Sequence, residues 1–81
     1  MRIDKFLKVS RLIKRRTIAK EACDQERILV NGKPAKPGTE VKLGDLILIR
    51  FGSSELKVRV LNLSEHSTKE NASTMYEAVQ E

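Results

Sequence analysis

Apolar residues near the start of the chain recur with the period of an α-helix. In the stretch RIDKFLKVS, the spacing i, i+3, i+4 and i+7 is occupied by Ile3, Phe6, Leu7 and Ser10. These positions share one face of a helix, so we expect Phe6 and Leu7 to be buried. Asp4 is placed to cap the start of this first helix.

A second helix is predicted after a short basic connection, RLIKRR. Thr17 has the side chain of an N-cap residue. The apolar residues that follow repeat at helical spacing and are expected on the buried face: Ile18, Ala19, Ala22 and Cys23. The basic run Lys14-Arg15-Arg16 therefore lies immediately before a helix start, where exposed backbone N–H groups attract anions.

From residue 28 onward the pattern changes to short β-prone runs separated by turns. The dipeptide Asn31-Gly32 follows the run ILV and is the strongest hairpin signal in the chain. A strand is predicted from Leu46 to Phe51, and the stretch ELKVRVLNL alternates apolar with polar residues. Two short helices packed on a small twisted β-sheet thus predict an α+β domain over residues 1–63.

Residues 64–81 are predicted to form a polar tail. The segment SEHSTKENAST has no apolar periodicity. The final MYEAVQE allows a short C-terminal helix, which at that length needs packing to persist. We expect Glu77, Glu81 and residues 64–74 to tolerate change.

Charge is distributed unevenly along the 81 residues, whose net charge is +5. Residues 1–36 carry eleven Lys and Arg against four acids, whereas residues 37–81 carry five against seven. Ordinary surface helices mix the two signs. The N-terminal excess therefore favours a polyanionic partner, above all nucleic acid, over a solvated basic face.

Few side chains are available for catalysis or metal binding. His66, the one histidine, lies in the polar tail, and Cys23, the one cysteine, falls on an apolar helix face. One Cys and one His cannot form a zinc site within the chain, and the four glycines are spaced as turn residues. We expect no enzymatic activity, no cofactor and no metal. With three aromatic residues in the chain, recognition should rest on phosphates and RNA shape.

No apolar run approaches the roughly 18 to 20 residues of a membrane-spanning helix. The basic N-terminus is not followed by the apolar segment of a secretory signal. A single cysteine allows no internal disulfide, as is typical of a reducing cytosol. These features predict a cytoplasmic protein with no membrane partner, and an organellar presequence is the weaker alternative.

Three blocks of the sequence resemble a known RNA-binding family. RIDKFL, KRRTIAKEA and ILVNGKPAKPGTEVKLGD follow one another within about residues 1–50. Their order and spacing resemble the S-four (alpha-L) RNA-binding domain of a small-subunit ribosomal protein, pseudouridine synthases and heat-shock protein fifteen. The chain length and its MYEAVQE end resemble the stand-alone bacterial subgroup that serves ribosome-associated quality control.

This resemblance implies a non-enzymatic factor that binds large ribosomal subunits obstructed by peptidyl-tRNA. Such a factor contacts 23S rRNA and steadies peptidyl-tRNA in the P site while a tailing factor adds alanine without a template. We expect it to be monomeric. The alternatives are a recycling factor like heat-shock protein fifteen, an accessory RNA-binding subunit of an RNA-modifying enzyme, and an adaptor for an acidic protein.

The resemblance also assigns residues to the RNA-binding surface. The basic positions that match are Arg2, Lys5, Arg11, Lys14, Arg15 and Arg16, of which Arg2 and Arg16 are the strongest candidates. Asn31, Gly32 and Lys33 match the hairpin that completes the surface, although Asn31-Gly32 is expected first of all to form the turn. One departure is Glu26, where relatives often end the second helix with glycine; this leaves the helix end open.

Overall fold

Two helices and a five-stranded antiparallel sheet form the fold, in a computed structural model that describes residues 1–63 and 75–79. The elements are α1 (Ile3–Val9), α2 (Arg16–Asp24), β1 (Ile28–Val30), β2 (Lys33–Pro34), β3 (Leu46–Phe51), β4 (Ser54–Val60) and β5 (Tyr76–Ala78). The strand order is β2-β1-β3-β4-β5. The predicted α+β class, with two short N-terminal helices and a small sheet, is confirmed.

The core lies between the helices and one face of the sheet. Alternate residues of β1, β3 and β4 are buried in it: Ile28, Val30, Ile47, Ile49, Val58 and Val60. The register pairs Ile28 with Ile49, and Ile47 with Val58, so these side chains lie on the same face. The four α1 residues predicted to share one face, from Ile3 to Ser10, are all buried as well.

The second helix begins and packs differently from the prediction. It begins at Arg16, its N-cap is the extended residue Arg15, and no side chain caps it, so Thr17 is not the N-cap. Ala19 and Cys23 are buried, as predicted, but Ile18 is 47% exposed. Ala19 and Cys23 are four positions apart and face the core together, and the helical rotation of about 100° per residue turns Ile18 away from it.

The C-terminal segment MYEAVQE holds a strand, where the sequence also allowed a short helix. Tyr76–Ala78 pairs with β4, and the carbonyl of Met75 accepts hydrogen bonds from the N–H groups of Leu61 (2.8 Å) and Asn62 (3.2 Å). The open edge of β4 supplies partners that an isolated short helix lacks. Met75 is completely buried, so removing the chain from this residue onward would take a side chain out of the core. The rest of the predicted polar tail, residues 64–74 and 80–81, lies outside the described residues.

Helix α2 ends in a left-handed residue that is not glycine. Glu26 has a φ of 58°. Its N–H donates to the carbonyl of Cys23 (3.0 Å), and the N–H of Arg27 donates to that of Ala22 (2.9 Å). These are the two hydrogen bonds of a Schellman motif. The end of the second helix, which the sequence left undetermined, is therefore a Schellman motif. Glu26 takes the left-handed conformation that glycine adopts most easily.

Replacing Met75 with alanine should lower the free energy of unfolding by about 2–5 kcal/mol, because a fully buried side chain is lost. Urea denaturation followed by circular dichroism measures the change. Leu43→Ala is the control, since Leu43 is 65% exposed, and should change stability by at most about 0.5 kcal/mol. Equally small effects of the two variants would contradict a core role for Met75.

Replacing Glu26 with glycine should raise the free energy of unfolding by about 1 kcal/mol, since a left-handed conformation costs an L-residue roughly 1–2 kcal/mol. The matched control is Gln25→Gly at the preceding position, where φ is −89° and glycine offers no such gain. The same denaturation experiment compares them. A loss of stability in both variants would show that the conformation of Glu26 carries no strain.

Candidate nucleic-acid interface

The basic residues assigned by the sequence lie on two units of the fold. One unit, which we call the basic corner, comprises Arg2, Lys5, Arg11, Lys14, Arg15 and Arg16 around the start of α1 and its connection to α2. The other is the β1–β2 hairpin, which carries Asn31 and Lys33. Lys5 is partly buried, and the side chains of all the others are exposed.

The connection between α1 and α2 shapes the basic corner. Arg11 follows α1 with a φ of 63°, and its N–H donates to the carbonyl of Lys8 (3.1 Å). The N–H of Ile13 then donates back to the carbonyl of Leu7 (3.0 Å). These bonds reverse the chain directly after α1 and half-bury Leu12 and Ile13 against the core. The basic residues on either side are left at the surface.

Arg2 is held in place by its backbone. It forms an isolated antiparallel bridge with Glu40, and the next residue, Ile3, donates its N–H to the carbonyl of Thr39 (2.8 Å). Its guanidinium passes over Gly38, where an added Cβ would lie 3.9 Å from both Nε and Nη2. The guanidinium of Arg2 thus lies close to the backbone of the loop that contains Gly38.

Arg2 and Arg16 share a single carboxylate although they are distant in sequence. Nη2 of Arg2 lies 3.3 Å, and Nε of Arg16 3.4 Å, from Oδ2 of Asp4. The carboxylate has no exposed surface, whereas the two arginine side chains are 50% and 43% exposed. The two strongest candidates for RNA binding are therefore brought together, through an acid that the sequence reading assigned to helix capping.

Most cations of the predicted RNA-binding surface differ in their pairing from the cations on β3 and β4. In the part of the chain that the structure describes, no acid lies within ion-pair distance of Arg11, Lys14, Arg15 or Lys33. On β3 and β4, two arginines are paired across strands: Nε of Arg50 with Oε2 of Glu55 (3.5 Å) and Nη1 of Arg59 with Oε1 of Glu77 (3.2 Å). Unpaired cations at the corner attract phosphate without first breaking an internal ion pair.

Asn31 has a structural role in the hairpin. Asn31 and Gly32 have φ values of 53° and 84°, which is the sign pattern of a type I′ turn. The side-chain Nδ2 donates to Oδ1 of Asp45 (3.2 Å), and its Oδ1 accepts the N–H of Leu46 (3.0 Å). Turn formation by Asn31-Gly32 is confirmed, and the amide fastens the turn to the start of β3.

Two features of the corner were not anticipated from the sequence. Asp4 is not the N-cap residue of α1, although its Oδ1 accepts the first-turn N–H of Lys5. It also bridges two arginines, and the available signal was that Asp4 is the one acid among the first twenty residues. The exposed Ile18 adds an apolar side chain next to Arg15 and Arg16 in sequence. The exposure of Ile18 could not be read from spacing, because the apolar residues of α2 fit a buried face that includes Ile18 as well as one that leaves it out.

The described residues provide little chemistry beyond charge. Cys23 is 3% exposed. Burial raises the pKa of its thiol to about 11, and the negative charges of Asp4 and Asp24 act in the same direction. A protonated buried thiol is a poor nucleophile. Within residues 1–63 and 75–79, no three His, Cys, Asp or Glu side chains are grouped to hold a metal ion, and no helix could span a membrane. His66 lies outside these residues.

Comparison with known proteins identifies similar sequences over the whole chain. A family model described as the S4 domain matches residues 1–47. The "RQC P-site tRNA stabilizing factor" of Halalkalibacterium halodurans is 60% identical over 81 residues, which cover 100% of this chain and 92% of that protein. The protein of the same name from Bacillus subtilis is 53% identical, with coverage of 100% and 94%.

A solved structure shares the fold. The trimeric structure of Vibrio cholerae Heat Shock Protein 15 superposes with a TM-score of 0.90 at 28% identity. The match covers 98% of this chain and 81% of the Vibrio chain. The likeness extends beyond residues 1–47 and includes the sheet.

Cys23 should resist alkylation by iodoacetamide in the folded protein at pH 8 and react fully once urea unfolds it, because its thiol is buried and protonated. Intact-mass measurement reports the reaction. An unfolded thiol ionises near its ordinary pKa of 9.0, whereas the folded one keeps its proton to about 11. The folded state then binds more protons, so stability should fall as the pH rises through this window.

Cys23→Ala is the control for the pH experiment and should remove that part of the decline. Rapid alkylation of the folded wild-type protein at pH 8 would contradict the burial of the thiol.

Proposed function

The chain belongs to the S4 domain family, and from this premise we propose that it is a non-enzymatic RNA-binding factor of ribosome-associated quality control. It binds large ribosomal subunits obstructed by peptidyl-tRNA and stabilises that tRNA in the P site. A tailing factor on the same subunit adds alanine without a template, and the site of action is the cytoplasm. The names and full-length similarity of the two relatives support the P-site role.

The basic corner is the observation that carries this proposal. It comprises six cationic residues, and among the ion pairs of the described residues Asp4 is the acid that contacts two of them, Arg2 and Arg16. Phe6, the aromatic residue of α1, is completely buried, so the contacts are made to RNA phosphates and not to stacked bases. Each phosphate contact releases counterions, and log K should fall by roughly 0.7–0.9 per contact for each log unit of salt.

Arginine is the suitable residue at the centre of this surface. A guanidinium can donate two parallel hydrogen bonds to phosphate oxygens, which an ammonium group cannot. Arg16 is 43% exposed at the first residue of α2, where backbone N–H groups add to the attraction for anions. Lys33, on the hairpin, is a further exposed cation for RNA phosphates.

A recycling factor is the second candidate function. The observation in its favour is the likeness to Heat Shock Protein 15 over 98% of the chain. Both functions require binding to the large subunit, so affinity alone does not separate them. Deletion of the gene separates them, since loss of alanine tails on stalled peptides is expected only if the protein acts in tailing.

Replacing Arg16 with alanine should weaken binding to purified large subunits that carry peptidyl-tRNA by roughly 10- to 150-fold, which corresponds to about 1.5–3 kcal/mol for a charge-assisted phosphate contact. Sedimentation at fixed salt measures the bound fraction. Arg50→Ala is the matched control, because it removes the same charge from an exposed residue of β3. That variant should bind within about twofold of wild type.

Empty large subunits provide the second arm of this experiment. The wild-type protein should prefer subunits with peptidyl-tRNA over empty ones. Equal binding to both would contradict P-site stabilisation and leave general RNA binding. Equal losses for Arg16→Ala and Arg50→Ala would contradict the location of the interface at the basic corner.

A further inference from the structure

Asp4 is buried beside a surface that we expect to bind phosphate, where its negative charge opposes binding. An acid in the first turn of a helix interacts favourably with the helix dipole. That interaction does not require burial, however, and the N-cap of α1 is Arg2 and not Asp4. The complete burial of the carboxylate therefore has another explanation.

The two oxygens of Asp4 have different partners. Oδ1 accepts the backbone N–H of Lys5 at 2.8 Å, which holds the carboxylate against α1. Oδ2 faces Nη2 of Arg2 at 3.3 Å and Nε of Arg16 at 3.4 Å. The carboxylate is thus fixed to the backbone of α1 through Oδ1. Through Oδ2 it contacts guanidinium groups that come from the N-cap of α1 and the first residue of α2.

Each arginine keeps donors for another ligand. A guanidinium carries five N–H donors. Arg16 contacts Asp4 through Nε, so its two terminal nitrogens have no acidic partner among the described residues. Arg2 contacts Asp4 through Nη2 and is half exposed. The remaining donors suit the paired contacts that arginine makes with phosphate oxygens.

We propose that Asp4 is a positioning residue for RNA binding, which holds the guanidinium groups of Arg2 and Arg16 side by side at the surface. The inference rests on the proposed function and specifies how that binding surface is built. The shared carboxylate offsets the repulsion between two neighbouring cations. It also restricts two flexible side chains before RNA arrives, so that less conformational freedom is lost on binding.

Whether one substitution tightens or weakens RNA binding distinguishes a positioning role of Asp4 from a simple effect of its charge. Asp4→Asn keeps the shape of the side chain, removes a negative charge and raises the net charge of the protein by one. If attraction depends only on the number of charges, this variant binds RNA more tightly. If Asp4 positions the arginines, it binds large subunits carrying peptidyl-tRNA about 5- to 20-fold more weakly, as expected when charge-assisted contacts are lost.

A double-mutant cycle tests whether the effect passes through the arginines. In an Arg2→Ala, Arg16→Ala background, Asp4→Asn should cause no further loss and should even tighten binding, because nothing is left to position. An equal loss in both backgrounds would overturn the proposal. So would binding by Asp4→Asn as tight as wild type or tighter. If the wild-type protein itself shows no binding, the proposed function fails. The nuclear magnetic resonance measurement described below needs no RNA and still tests whether Asp4 holds Arg16.

Two measurements guard against misfolding as the cause. Protection of Cys23 from alkylation should be unchanged in Asp4→Asn if α1 and α2 still pack together, since the thiol is buried in the same cluster. In the unaltered protein, nuclear magnetic resonance should show the Nε–H of Arg16 to be more ordered than that of Arg15, which has no acidic partner among the described residues. Equal mobility of the two groups would overturn the proposal without any substitution.

Discussion

The burial of one face of α1 is the constraint on which the rest of the structure depends. Ile3, Phe6 and Leu7 have no exposed surface and join both helices and the sheet in one hydrophobic cluster. A chain of about this size buries only roughly 60% of its unfolded surface, so it has little apolar packing in reserve. Because the same helix begins beside Arg2 and Asp4, burying its apolar face also determines where the charged groups lie.

Stability and function place opposite demands on the charges of this small domain. Across β4 and β5, Nη1 of Arg59 meets Oε1 of Glu77 at 3.2 Å, so charge on the sheet is balanced locally. At the basic corner the cations repel one another, and Asp4 is the acid that moderates this repulsion. Concentrating the imbalance in one place leaves most of the fold free of electrostatic strain while it presents a strong local field to a polyanion.

Much of the fold could be predicted from the sequence because the signals were local. The α1 face follows from helical spacing, the hairpin from Asn31-Gly32, and the core positions of β4 from strict alternation. The S4 membership was readable in three sequence blocks, and two of the predicted RNA-binding residues, Arg2 and Arg16, contact the same carboxylate. Predictions failed where the sequence fitted two local structures equally well. Thr17 has the side chain of an N-cap residue, but Arg15 is the N-cap. Ile18 fits an apolar helix face, but it lies outside the face that the helix buries.

The sequence by itself determined the two N-terminal helices, the hairpin after them, the apolar face of α1 and the excess of positive charge, since each can be read from neighbouring residues. Only the tertiary structure decided that Met75 completes the core, that the last strand joins β4, and that Asp4 contacts both Arg2 and Arg16. These contacts join residues far apart in the chain. Spacing cannot reveal them, because folding of the chain as a whole brings their atoms together.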